Sequence, residues 1–219
     1  MSVFSTFFYK FCLFLLFIFS LPLIVIIAGV IVVTSGFPIF FIQLRTGKNG
    51  KPFPLYKFRT MLPDAENQKK KYYSLNEARG PVFKIHNDPR FTSIGKVLSH
   101  TGLDELPQFI NVWQGDMALI GPRPLPLEET KELTTWQKKR YKGLPGIISP
   151  WIFEGYHGTP FDKWMKSDIT YLQQKSFLTD IRLCLKFIPY FLHLMTTELR
   201  ILTGKQKTSL DNTKEKRYT

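Results

Sequence analysis

The strongest pattern along the chain is an unbroken apolar run, residues 11 to 33, FCLFLLFIFSLPLIVIIAGVIVV, without a charged side chain. As a helix rising about 1.5 Å per residue it reaches about 35 Å, enough to cross the hydrocarbon of a bilayer. This segment belongs in a membrane. A secretory leader fits poorly, because only Lys10 stands ahead of the run, the run is too long, and no A-x-A-like cleavage site follows. Pro22 lies mid-run, two residues after Ser20, and removes a helical hydrogen bond, so a bend or break is expected there. The run then either spans with a kink or dips in and leaves on the side it entered. Everything after residue 44 is rich in Lys and Arg, which puts the body on the cytoplasmic side under either geometry.

Past the anchor the periodicity shortens. Residues 39 to 60 are aromatic-rich on both sides of a Gly47 to Gly50 turn containing Asn49-Gly50, which predicts a hairpin. Its second arm alternates Phe53, Leu55 and Lys57 against Pro54, Tyr56 and Phe58, and the prolines make it an edge strand. Polar residues 64 to 79 predict a helix. Asn87-Asp88-Pro89 marks a turn leading into a short helix near 92 to 100, and residues 105 to 114 predict another. GDMALIGPRP, 115 to 124, reads as a buried strand ending in a proline-stiffened loop. From 177 to 203, Ile181, Leu185, Ile188, Leu192, Met195 and Leu199 recur at spacings of three and four. They predict an amphipathic helix, kinked at Pro189, that faces either the core or the membrane interface. The chain divides into an anchor, 1–36, an α+β, mainly helical, membrane-associated domain, 37–203, and a basic tail, 204–219, expected to be disordered.

Charge narrows the partners. Thirty Lys and Arg against 17 Asp and Glu give a formal +13, which implies nucleic acid, an acidic leaflet or phosphorylated substrates. No nucleic-acid motif accompanies the charge. Cys12 and Cys184 lie far apart in apolar stretches, so neither a disulfide framework nor a cysteine-rich metal site is expected. His86, His100, His157 and His193 are scattered as surface or core residues would be.

Against this basic background TGLDELPQF, 101 to 109, sets Asp104 and Glu105 side by side ahead of Pro107. Pro107 is tolerated only in a first helical turn, so a helix starting at Asp104 is predicted. Asp104 is then either a capping residue, with Glu105 favouring the dipole, or an ionised nucleophile or metal ligand where a phosphate would be received. Adjacent helical side chains diverge by about 100°, so different tasks are expected of the two carboxylates.

The motifs YKFRTM (56 to 61), NDPRFTSIG (87 to 95), LDELPQFINVWQGDM (103 to 117) and GPRP (121 to 124) occur together in this order. With them the chain, from the apolar run to about residue 200, resembles the bacterial sugar transferases, monotopic phosphoglycosyl transferases in their minimal catalytic form. The resemblance implies an enzyme at the bacterial inner membrane, facing the cytoplasm, that moves a sugar 1-phosphate from a UDP-sugar to polyprenyl (undecaprenyl) phosphate. UMP is released, and the step initiates synthesis of a surface glycan. It implies Asp104 as the nucleophile, Glu105 beside it to help hold Mg²⁺ or manage protons, Mg²⁺ held by Asp104 and Glu105, a re-entrant anchor helix, and phosphate contacts from Lys57 and Arg123, with Arg59 and Arg90 as further candidates. Partners are then UDP-sugar, polyprenyl phosphate and membrane lipid, with no nucleic acid; a homodimer stays open.

This chain departs from the family pattern in places. The bend reads Leu21-Pro22 with Ser20 displaced by one, and Ser99, followed by His100, stands where many members carry Arg. If His100 stands in for that Arg, phosphate binding would titrate near neutrality. ISPWIFEGYHGTPF, 148 to 161, differs from the run common in members, so the sugar is not inferred. A membrane-tethered binding protein or a scaffold of a glycan pathway explains the charge and the anchor without catalysis, and either predicts a silent Asp104→Asn.

Overall fold

The computed structural model describes residues 3–78, 80–154 and 160–204. Helix α1, Val3–Ser35, runs unbroken through Pro22. Pro22 leaves the carbonyl four residues earlier without its helical donor. One residue before that carbonyl, the Ser20 hydroxyl donates to Phe17 O at 2.7 Å. The helix is apolar yet hardly buried, with Phe19, Val25 and Val33 at 78%, 67% and 85% exposure. A core helix of a water-soluble domain does not look like this, and its length and composition suffice to cross a membrane. Only part of it touches the body. Ile27 and Ile31, with Ile24 and Ala28, pack on Phe58 and Leu98, while Leu13 packs on Phe53, Leu55, Val112 and Met117.

The expected hairpin is present as β1, Phe40–Thr46, and β2, Pro52–Phe58, antiparallel, with Phe41 opposite Lys57 and Thr46 opposite Pro52. Asn49 and Gly50, at φ 57° and 76°, supply the left-handed backbone that turns it. Phe53 and Leu55 are buried, and Lys57 follows on the same face by the period of two. The outer edge of β2 does not stay open. Buried Asn111 donates to Pro54 O at 2.6 Å and accepts from Tyr56 N at 3.1 Å, completing the edge that the prolines would leave ragged.

The helix expected over 64–79 is instead a 3₁₀ segment, Asn67–Leu75, which buries no residue. Without an apolar face to pack, nothing offsets the cost of ordering full α-turns. Helix α2, Ser93–Thr101, is capped by Thr92, whose hydroxyl accepts from Gly95 N. Gly95 lets α2 close onto the end of β2: a Cβ there would sit 1.9 Å from Thr60 O. Gly102, at φ 75°, ends α2 and opens a 3₁₀ turn, Leu103–Gln108, that continues into α3, Phe109–Gln114. Strand β3, Ala118–Ile120, pairs in parallel with β4, Gly146–Ile148, a partner the sequence did not announce. Between them lie α4, Leu127–Lys131, and a 3₁₀ segment, Gln137–Lys142.

Two helices close the described chain. Helix α5, Phe161–Gln174, buries Phe161, Trp164 and Met165 against Trp151, Leu125 and Leu133. Helix α6, Phe177–Leu202, continues through Pro189. It turns Leu183, Cys184 and Phe187 toward Ile120, Ile148 and Tyr171. The stripe recognised in the sequence faces outward: Ile181, Leu185, Ile188, Leu192 and Leu199 are all exposed. The stripe is therefore not a core face. The tail lies outside the described residues from 205 onward, as do 155–159 and with them His157.

Candidate active site

The hairpin, the 3₁₀ turn and the GPRP loop bring four of the sequence-predicted residues together. Lys57 Nζ donates to Asp104 Oδ2 at 3.2 Å and to Glu105 Oε1 at 2.7 Å. Arg123 Nη2 donates to the same Oε1 at 2.9 Å. Asp104 is only 5% exposed. The cap of the turn is Gly102, and no side chain caps it, so the capping role open to Asp104 in the sequence is not taken. Nor do the carboxylates diverge as the helical projection suggested, since both reach one ammonium.

Their environments nevertheless separate them. Burial pushes the Asp104 carboxyl up, against the pull of Lys57. Glu105 is also desolvated, but Arg123 and Lys57 outweigh this and hold it well below the usual carboxylate range. Paired acids pushed apart in this way suit different tasks. Glu105 is a fixed negative charge, whereas Asp104 is a strained one with Oδ1 outside its ion pair. Glu105 Oε2 likewise lies outside both ion pairs of that residue.

A third cation belongs to the cluster and escaped the sequence reading. Burial, helped by Arg123, brings the Lys84 ammonium down to about 7, and it feels the charges of Glu105, Lys57 and Asp104. Its backbone N–H is fixed by Asn76 Oδ1 at 2.8 Å. In sequence Lys84 sits in an ordinary FKIHNDP run; only the fold shows what it neighbours. Asn111, which locks β2 and hence Lys57 beside the turn, was also missed. So were Arg140 and Asp168, which hold the GPRP loop. Arg140 Nη2 donates to Arg123 O and to Asp168 Oδ2, both at 2.6 Å, with the two side chains almost wholly buried. Burial pushes the Asp168 carboxyl up to about 6, against Arg140.

Arg59 and Arg90 are not in the cluster. Arg59 donates to Ser35 O and Gly36 O at 2.6 Å and to Phe37 O at 3.1 Å, so it closes the C-terminus of α1. A cation suits those unpaired carbonyls and the negative end of the dipole. Arg90 forms a buried two-bond pair with Asp88, Nε to Oδ1 at 2.9 Å and Nη2 to Oδ2 at 2.7 Å, and donates to Ala65 O. Both guanidiniums are used up in building the fold. His100 does not replace the missing Arg either. Its Nδ1 lies 3.2 Å from Glu198 Oε2 and its Nε2 2.8 Å from His86 O, turned to α6 and not to the acids.

Among the described residues no cluster of three or more His, Cys, Asp or Glu could enclose a metal. Two adjacent carboxylates with an oxygen each outside the ion pairs still match the demand of Mg²⁺, which commonly takes one or two carboxylates and completes its shell from water and substrate phosphate.

The site is a cationic cluster around paired acids, on a body carrying an apolar helix long enough to cross a membrane. Residues 2–193 match the family described as bacterial sugar transferase, and the chain belongs to that family. It is 43% identical over 152 residues to the galactosyl transferase CpsE of Streptococcus agalactiae, covering 69% of this chain but only 34% of that protein. It is 31% identical to the exopolysaccharide production protein ExoY of Sinorhizobium fredii, covering 77% of this chain and 76% of that one. To the UDP-glucose:undecaprenyl-phosphate glucose-1-phosphate transferase of Escherichia coli it is 35% identical, over 74% of this chain and 34% of that protein. The chain thus spans about a third of the longer relatives and three quarters of ExoY.

Proposed function

We propose that the protein transfers a sugar 1-phosphate from a UDP-sugar to polyprenyl phosphate, releases UMP, and thereby begins assembly of a bacterial surface glycan. The observation that carries this reading is the buried Asp104 carboxylate, held by Lys57 beside a cationic Arg123 in the first turn after Gly102. The printed activity of the E. coli relative, from UDP-glucose to undecaprenyl phosphate, supports it.

In the first step Asp104 Oδ1 attacks the sugar-bearing phosphorus of the donor. The bond to the bridging oxygen breaks, UMP leaves with that electron pair, and an aspartyl phosphosugar remains. In the second step an oxygen of polyprenyl phosphate attacks the same phosphorus and expels the Asp104 carboxylate, giving a polyprenyl diphosphate sugar. Both steps crowd anions together, and Lys57 and Arg123 set two cations beside the two carboxylates, with the partly charged Lys84 near them. Asp104 and Glu105 would hold Mg²⁺, which when bound neutralises charge on the phosphoryl oxygens. The strained ionisation of Asp104 is relieved as its oxygen forms the mixed carboxylic–phosphoric anhydride.

The proposed test is UMP release by the purified protein given undecaprenyl phosphate, Mg²⁺ and a panel of UDP-sugars. Release beyond one equivalent per protein that requires the lipid phosphate is expected, with a loss of at least about a thousandfold in Asp104→Asn. Undiminished release by a folded Asp104→Asn protein would remove the covalent mechanism; no release with any sugar would remove the transferase.

A further inference from the structure

Three exposed apolar side chains sit together beside the acidic turn, and the proposed chemistry does not use them. Trp113 on α3 is 69% exposed and Ile110, one turn earlier on the same face, is 37% exposed. Phe14 of α1 brings its ring to 6.2 Å from that of Trp113. Trp151 and Trp164 are buried and Trp136 half-buried in the core around α5. An aromatic as large as Trp113 left in water forfeits its hydrophobic stabilisation, so its exposure marks a surface that something covers.

The surroundings of this strip say what. α3 continues directly from the turn carrying Asp104, so Trp113 lies about 15 Å further along the element, at about 2 Å per 3₁₀ residue and 1.5 Å per α residue. The other face of α3 is committed: Val112 packs with Phe53, Leu55, Met117 and Leu13 of α1, and Asn111 is spent on β2. Ile110 and Trp113 therefore point away from the body, next to a helix that is itself apolar and exposed. One end of the strip is cationic, through Lys57 and Arg123; the other merges with α1. An amphiphile with a phosphate head and a long hydrocarbon chain is complementary to both ends at once.

We propose that Phe14, Ile110 and Trp113 form the track along which the hydrocarbon chain of the lipid-phosphate acceptor lies while its phosphate reaches Asp104. The proposal rests on the transferase reading above. Its physical content is that the acceptor's phosphate must leave the bilayer surface for a buried carboxylate, and the track keeps the first segments of its chain out of water meanwhile.

The test uses the full chain in lipid nanodiscs with two acceptors, undecaprenyl phosphate and a two-isoprene phosphate, and follows the single burst of UMP formed from donor alone. Trp113→Ala is expected to raise KM for the long acceptor about tenfold, as loss of one buried aromatic contact would. The short acceptor and the burst should keep their wild-type values, and Trp113→Phe should recover most of the loss. An unchanged KM, or an equal loss with both acceptors, overturns the track. Absence of both burst and turnover in the wild type would instead overturn the transferase reading. Labelling then decides the track by itself. A photoreactive polyprenyl phosphate should mark α3 at Ile110 and Trp113, and marking elsewhere, or equal marking by a photoreactive phospholipid, overturns it.

Discussion

At the scale of single residues, four arginines and lysines of similar appearance have separate fates. Lys57 and Arg123 face the acids, whereas Arg59 is consumed by three carbonyls at the end of α1 and Arg90 by Asp88. Arg59→Ala should therefore lower stability, by about 2–4 kcal/mol from the lost charged hydrogen bonds, and leave substrate KM unchanged. Thermal unfolding together with donor and acceptor titrations checks this, and a selective rise in KM would return Arg59 to the phosphate-binding set. Asp104 gives a pH prediction with opposite signs for activity and stability. Its carboxyl is raised above the ordinary value of 3.8 by burial. Activity needs it ionised, so the acid limb of the rate profile should lie above that of a free Asp, with the rate falling as pH falls. A raised folded value also means stability that is fully present below the unfolded value and lost as pH rises through the folded one. The unfolding temperature of Asp104→Asn should accordingly exceed that of the wild type near neutrality, with the gap closing toward pH 4.

Elements are placed by close approaches and clamps that local propensity does not contain. Gly102 suits the turn because of its positive φ, but Gly95 is required by Thr60, which precedes it by 35 residues and lies outside the helix itself. Gly95→Ala puts a methyl group against a backbone oxygen, which should push α2 off β2 at a cost of about 3 kcal/mol or more and misplace the turn that follows. Circular dichroism on heating and UMP release should both show it. The hairpin turn and the boundaries of α2 were legible because Asn49-Gly50 and the Thr92 cap are local signals. The 3₁₀ form of Asn67–Leu75 was not, since a polar stretch does not reveal that it will find nothing to pack on.

On the scale of the whole molecule, α1 touches the body at two levels, Leu13 on Met117 and Val112, and Ile31 in the group with Phe58 and Leu98. A helix threading the bilayer would carry one end away from a domain on one side. We propose an anchor that enters and leaves on the same face. Cysteine at position 2 should then be protected from an impermeant reagent added outside intact cells and labelled after lysis; labelling from outside would establish a crossing. The outward apolar stripe of α6 and the exposed Phe40, Phe41, Ile42 and Leu44 of β1 add further surface suited to lipid.

By itself the sequence determined a segment of 23 uncharged residues, long and apolar enough to cross a membrane. It also determined the family and the acids, since contiguous motifs survive in one dimension. Tertiary structure alone decided which cations face those acids, that Lys84 joins them, and that Asn111, Arg140 and Asp168 hold the parts in register. The reason is physical: a charge or an amide has the same local signature whether it meets a helix end, a carboxylate or a strand edge. Which partner it meets depends on contacts between segments tens of residues apart, and those exist only once the chain has folded.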